Sequence, residues 1–232
     1  MERRTLILMT VALLVAGSCV LGIAAPAAAI DAAPMAFIGK AGDCGPGYPA
    51  GARIVTAGWI QGLGLPDDGS FNFDPLDPDG PNLPNKTDVR DGLLMQKNGP
   101  TSVCSSAGAK IKNMTPNIVV VAGTTFEFDY RKGSRCSAGS PRFNITHSAG
   151  FSFAGCAEGK ATDAPQDPDN WTHVAIDITT HASPPVPMGA TITAIAIVFD
   201  EGTDHGSGFA IIDNIKLDDK PTIVKGSGLV SD

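Results

Sequence analysis

Asp213 sits in Gly208-Phe-Ala-Ile-Ile-Asp-Asn-Ile-Lys-Leu217, a run that alternates as a β-strand does. The alternation predicts Phe209, Ile211, Asp213, Ile215 and Leu217 on one face, so the more apolar face carries a carboxylate at its centre. A carboxylate withdrawn from water needs a cation or several hydrogen-bond donors. Two readings follow. Asp213 ligates a structural calcium ion, with Asn214 and the acidic loop that contains Asp200 and Glu201 supplying further oxygens. Alternatively it accepts backbone N–H bonds from a neighbouring loop, or a bulge turns it outward.

A second constellation lies at outward-facing strand positions: Asp129, Arg131, Arg142 and Asn144, with Trp171 and His173 beside them. Sugar binding needs planar polar groups for hydroxyls and an aromatic face for stacking. If these strands are neighbours, the six residues form a mixed platform for a polysaccharide or glycan. The plainer alternative is a solvated sheet face with Trp171 covering the sandwich edge.

Catalytic patterns are weaker. Glycoside hydrolysis needs two carboxylates held across a sugar bond, and no acidic residue has a distinguishing setting. Ser207 lies in His205-Gly-Ser-Gly208, which is not a nucleophile elbow. His147, His173, His181 and His205 show no metal-ligand spacing. An EF-hand placed on Gly80 puts Pro75 and Lys86 at ligand positions, where neither serves. The expectation is a protein that is not an enzyme.

These residues need a scaffold. Glycine and proline make 45 of 232 residues and fall between short alternating runs, which predicts an all-β fold: an antiparallel β-sandwich (jelly roll) of about nine strands. The clearest runs are 124–131, 142–147, 171–179, 191–199 and 208–217. The run 191–199 is apolar on both faces, as a central strand is. Runs at 53–60, 92–96, 109–114 and 118–121 are weaker. Residues 66–91 hold seven aspartates and five prolines and read as a long acidic loop. Residues 219–232 read as a loose tail, leaving one domain over 30–218.

Residues 1–29 have a basic start, an apolar stretch and Ala27-Ala28-Ala29, and so read as a secretory signal peptide. Arg3-Arg4 fits a twin-arginine signal only loosely, and the residues before Cys19 make a poor lipoprotein site. Secretion is therefore expected ahead of a periplasmic or lipid-anchored location, with no membrane insertion after cleavage. Cleavage takes basic residues from 17 to 15 and acidic ones from 24 to 23, a net charge near −8. That balance argues against nucleic acid and anionic membranes as partners. Four cysteines remain, and an even number in an exported chain predicts two disulfides. Cys136 and Cys156 flank a pair of strand-like runs and are the expected partners, which leaves Cys44 with Cys104.

The late elements carry a resemblance. A tryptophan-led strand (Trp171-Thr-His-Val-Ala-Ile-Asp-Ile178), an isoleucine-rich central strand (Ile192 to Phe199) and a closing strand with Asp213-Asn214-Ile215 follow in order. Together, residues 170–217 resemble the C-terminal half of jelly-roll modules of the galactose-binding-like and carbohydrate-binding type in secreted bacterial proteins. The resemblance implies a non-catalytic carbohydrate-binding module, with Asp213 a ligand of structural calcium. Residues 92–156 resemble uncharacterised secreted bacterial proteins, which implies no activity. Two other functions stand beside the first: a structural or cell-envelope-associated protein without a small-molecule ligand, and a carboxylate-based glycoside hydrolase.

Overall fold

Short alternating runs bury one face each and must pair to satisfy their backbone. The computed structural model, which describes residues 29–66, 90–204, 208–224, 226 and 229–231, shows how they do so. The signal segment up to residue 28, the acidic stretch 67–89, His205 and Ser207 lie outside the described residues.

Among the described residues twelve strands, numbered in chain order, form two sheets. The first orders β1 (Asp31–Ile38), β4 (Ser105–Lys112), β10 (Ile192–Phe199), β6 (Arg142–His147) and β7 (Gly150–Gly155). The second orders β12 (Leu229–Ser231), β2 (Val55–Gln61), β3 (Asp91–Lys97), β11 (Phe209–Leu217), β5 (Thr125–Arg131), β9 (Trp171–Asp177) and β8 (Lys160–Asp163). Every ladder between these strands is antiparallel. The chain passes repeatedly from one sheet to the other, as a jelly roll requires. β10, apolar on both faces, is the middle strand of its sheet.

The core lies between the sheets. Phe143 of β6 packs its ring against Phe126 (centroids 5.3 Å apart, edge-on) and Phe128 (5.6 Å) of β5. Ala107, Ala109, Ile145 and Ile197 meet Leu93, Met95, Val174, Ile176 and Ile212 around them. A smaller second core covers the outer face of the seven-stranded sheet: Leu63, Leu65 and Ala164 lie with Trp171, Phe209 and Ile211.

Closing strand β11 departs from strict alternation. Ala210 and Ile212 face the main core, Phe209 and Ile211 the outer one, yet Ile215 and Leu217 are back in the main core. The cause is a bulge. The register with β5 slips between Asp213 and Lys216, where Asn214 has φ +48°. One extra residue reverses the parity, so Asp213 does not share a face with Ile215 and Leu217.

Other differences are smaller. The run 118–121 makes an isolated bridge, Val119 to Thr191, instead of a strand. The tail expected to be loose is tied in: Ile223 is buried and bridges Ile215, and β12 pairs with β2. Backbone pairing outweighs its Gly- and Pro-rich composition. Both disulfides join the expected partners, Cys44–Cys104 and Cys136–Cys156.

Candidate functional site

The outward positions of the five-stranded sheet are small along its middle: Ser106 on β4 and Ala196 on β10. Bulkier residues flank them, Phe37 on β1 and Arg142 and Asn144 on β6. This difference in side-chain height cuts a cleft of about 490 Å³ into the sheet face. Phe37 and Tyr48 line one side and are 44% and 38% exposed. Arg142, Asn144, Asp200 and Glu201 line the other.

The polar side is preorganised. Arg142 clamps Asp200 through two parallel bonds, Nη1 to Oδ1 at 2.8 Å and Nη2 to Oδ2 at 2.7 Å. Its Nε donates to Asn144 Oδ1 at 3.0 Å, and Nη1 also donates to the Gly139 carbonyl. Four of the five guanidinium N–H groups are thus used. Glu201 accepts from Arg135 Nη1 at 3.0 Å and from Ser137 Oγ at 2.7 Å. The side chains keep capacity for a ligand: the amide N–H pair of Asn144, one N–H of Arg142 and the spare lone pairs of both carboxylates.

Behind the cleft, Lys97 is buried and donates to the carbonyls of Val103 at 2.6 Å and Thr101 at 3.3 Å. Burial pulls its pKa below the ordinary lysine range, and the charge of Asp200 partly opposes that. The ammonium so anchors residues 101–103, which form part of the cleft wall. Cys44–Cys104 ends at the loop bearing Tyr48, and Cys136–Cys156 lies beside Arg135, Ser137 and Gly139, which bond Glu201 and Arg142 from behind the lining.

Asp129, Arg131, Trp171 and His173 belong to the other sheet, on β5 and β9, away from Arg142 and Asn144 on β6. The six-residue platform is therefore divided between opposite faces of the sandwich. Trp171 is fully buried in the outer core, so its ring is unavailable for stacking. The Asp129 carboxylate is also buried. It lies 2.8 Å from His173 Nδ1 and accepts from Asn214 Nδ2 at 2.7 Å, and the same Asn214 nitrogen reaches Gln166 Oε1 at 2.9 Å. His173 Nε2 lies 3.8 Å from Glu127. These groups border two contiguous clefts of about 340 and 430 Å³.

Asp213 lies directly opposite Asp129 in this second region. Its Oδ2 accepts the Leu65 N–H at 2.8 Å and its Oδ1 the Asn214 N–H at 2.7 Å. Burial pushes its pKa up to about 7; the two N–H bonds oppose the shift, and the carboxylates of Asp129 and Asp91 add to it. Asp200 and Glu201 face the cleft on the other sheet, so the three carboxylates expected to bind calcium do not converge, and only Asn214 adjoins Asp213. Among the described residues, no group of three or more His, Cys, Asp or Glu is placed to hold a metal ion, and no helix is long and apolar enough to cross a membrane.

Sequence reasoning missed Phe37 and Tyr48. The Met35–Phe37 alternation after Pro34 was a signal for the first, and a tyrosine in the glycine-rich loop beside Cys44 for the second. No protein-family model, curated protein or solved structure matches this chain.

Proposed function

We propose that this is an exported, disulfide-bonded, non-catalytic carbohydrate-binding module whose site is the cleft on the five-stranded sheet. The observation that carries the reading is the pairing of exposed aromatic rings, Phe37 and Tyr48, with a clamped polar array across about 490 Å³. Sugars present an apolar face to rings and hydroxyls to carboxylate and amide groups. Both charges of the Arg142–Asp200 pair are already matched, so a neutral hydroxyl-bearing ligand meets no uncompensated charge there. The resemblance of residues 170–217 to carbohydrate-binding jelly rolls agrees with this. Asp213 receives no calcium in the proposal, because Asp200 and Glu201, expected to complete the site, line the cleft on the other sheet, and two backbone N–H groups already hold its carboxylate.

Native gels containing hydroxyethylcellulose, xylan, glucomannan or galactan test it. Retardation in at least one is expected, with Phe37→Ala and Asn144→Ala each weakening it about tenfold, the equivalent of about 1.4 kcal/mol. Retardation in none, or indifference to both substitutions, would refute the site and favour a structural, envelope-associated role.

A further inference from the structure

We propose that Tyr48 is a ligand-contacting wall of the cleft and that the Cys44–Cys104 disulfide is the link that positions it. The inference rests on reading the cleft as a glycan site.

Residues 40–50 are exposed, apart from the half-buried Gly45. The loop bonds chiefly to itself: Asp43 N to Lys40 O, Gly45 N to Gly42 O and Tyr48 N to Gly45 O make successive turns. Gly42 N to Tyr48 O at 3.0 Å closes the ring, and Lys40 N adds a bond to Asp43 Oδ2. Such a loop keeps its own shape but not its place. None of its side chains belongs to either hydrophobic core.

Its two ends meet at Cys104. Gly39 N donates to Cys104 O at 2.8 Å and Gly51 N to Gly39 O at 2.7 Å. A Cβ on Gly39 would stand 2.3 Å from Cys104 Sγ, and one on Gly51 2.4 Å from Cys104 O, so both ends are held to glycine. Between them the Cys44–Cys104 bond fastens the ring to the start of β4. Without that bond, the ring pivots on its glycine ends and Tyr48 leaves Phe37. With it, Tyr48 lines the same cleft as the Arg142–Asp200 clamp.

The test compares wild type, Tyr48→Ala, Cys44→Ala/Cys104→Ala, the triple variant and Phe37→Ala in the same four polysaccharide gels. Tyr48→Ala and the cysteine pair are each expected to weaken retardation about tenfold. The triple variant should lose no more than the cysteine pair, because a ring already displaced has nothing further to lose. Additive losses would overturn the positioning role, since they make the disulfide and Tyr48 independent. Should the cysteine variant fail to fold, Tyr48→Ala decides alone: its side chain is partly exposed and its disulfide intact, and a melt checks its fold. Full retardation by Tyr48→Ala, with Phe37→Ala weakened, would overturn this inference and leave the cleft as the site. Retardation of no variant, wild type included, would overturn both.

Discussion

Replacing Asp213 by Asn should make the protein more stable at pH 8 and less stable at pH 4. The Asp213 pKa is about 7 in the folded chain against an ordinary 3.8. A raised folded pKa means that the folded state binds the proton more tightly. Its contribution is fully present below pH 3.8 and is lost as pH rises through about 7. About three pKa units at about 1.36 kcal/mol each make the loss about 4 kcal/mol by pH 8. Asparagine removes the charge and keeps one carbonyl for the Leu65 N–H, but it leaves the Asn214 N–H without an acceptor, at a cost of about 1 kcal/mol. The variant should thus gain about 3 kcal/mol at pH 8 and lose about 1 kcal/mol at pH 4, and the two stability curves should cross in between. Urea unfolding of both proteins from pH 4 to pH 8 measures this, and the difference between them isolates the one carboxylate. A pH-independent difference would refute the reasoning, because it would mean that the two N–H bonds already offset burial of the charge.

Trp171→Ala should cost about 3–5 kcal/mol in urea unfolding, since it empties the centre of the outer core. Trp171→Phe should be close to neutral, because the buried indole N–H has no hydrogen-bond partner among the described residues to lose; equal losses would refute the packing argument. The disulfides close loops of 60 and 20 residues, so by chain entropy their removal should cost about 4 and about 3 kcal/mol in that order, and the reverse order would count against that account. Millimolar calcium or a chelator should leave the melting temperature unchanged, whereas a rise with calcium would restore Asp213 or its neighbours as cation ligands.

The strands at the centre of each sheet were legible because burial enforces their pattern. Residues 142–147 were read at their observed bounds, and 124–131 and 191–199 to within one residue. Strands at the margins were not. β1 contains Pro34, which a pattern reader takes as a break but an edge strand tolerates. β8, Lys-Ala-Thr-Asp, is exposed throughout and has no apolar face to show. The site was half legible. Arg142 and Asn144 stood out as charged and amide groups on an alternating strand, but local alternation cannot say which sheet a strand joins, and Asp129 and His173 joined the other. Trp171 faces outward as its spacing predicts. What spacing cannot reveal is that Leu63 and Leu65, distant in sequence, cover it together with the nearby Ala164.

The Asn214 bulge makes β11 two half-strands out of phase: the first packs into both the outer and the main core, the second into the main core alone. Two cooperative units of different stability therefore share a single backbone. The outer layer is the smaller, and the backbone of Leu65 is tied to the strand by a carboxylate whose charge varies near neutral pH. Such a layer opens sub-globally, ahead of the sandwich beneath it. Amide hydrogens at 62–65 should then exchange faster than those of Ile212 and Ile215 on the same sheet, while the five-stranded face and its cleft remain closed.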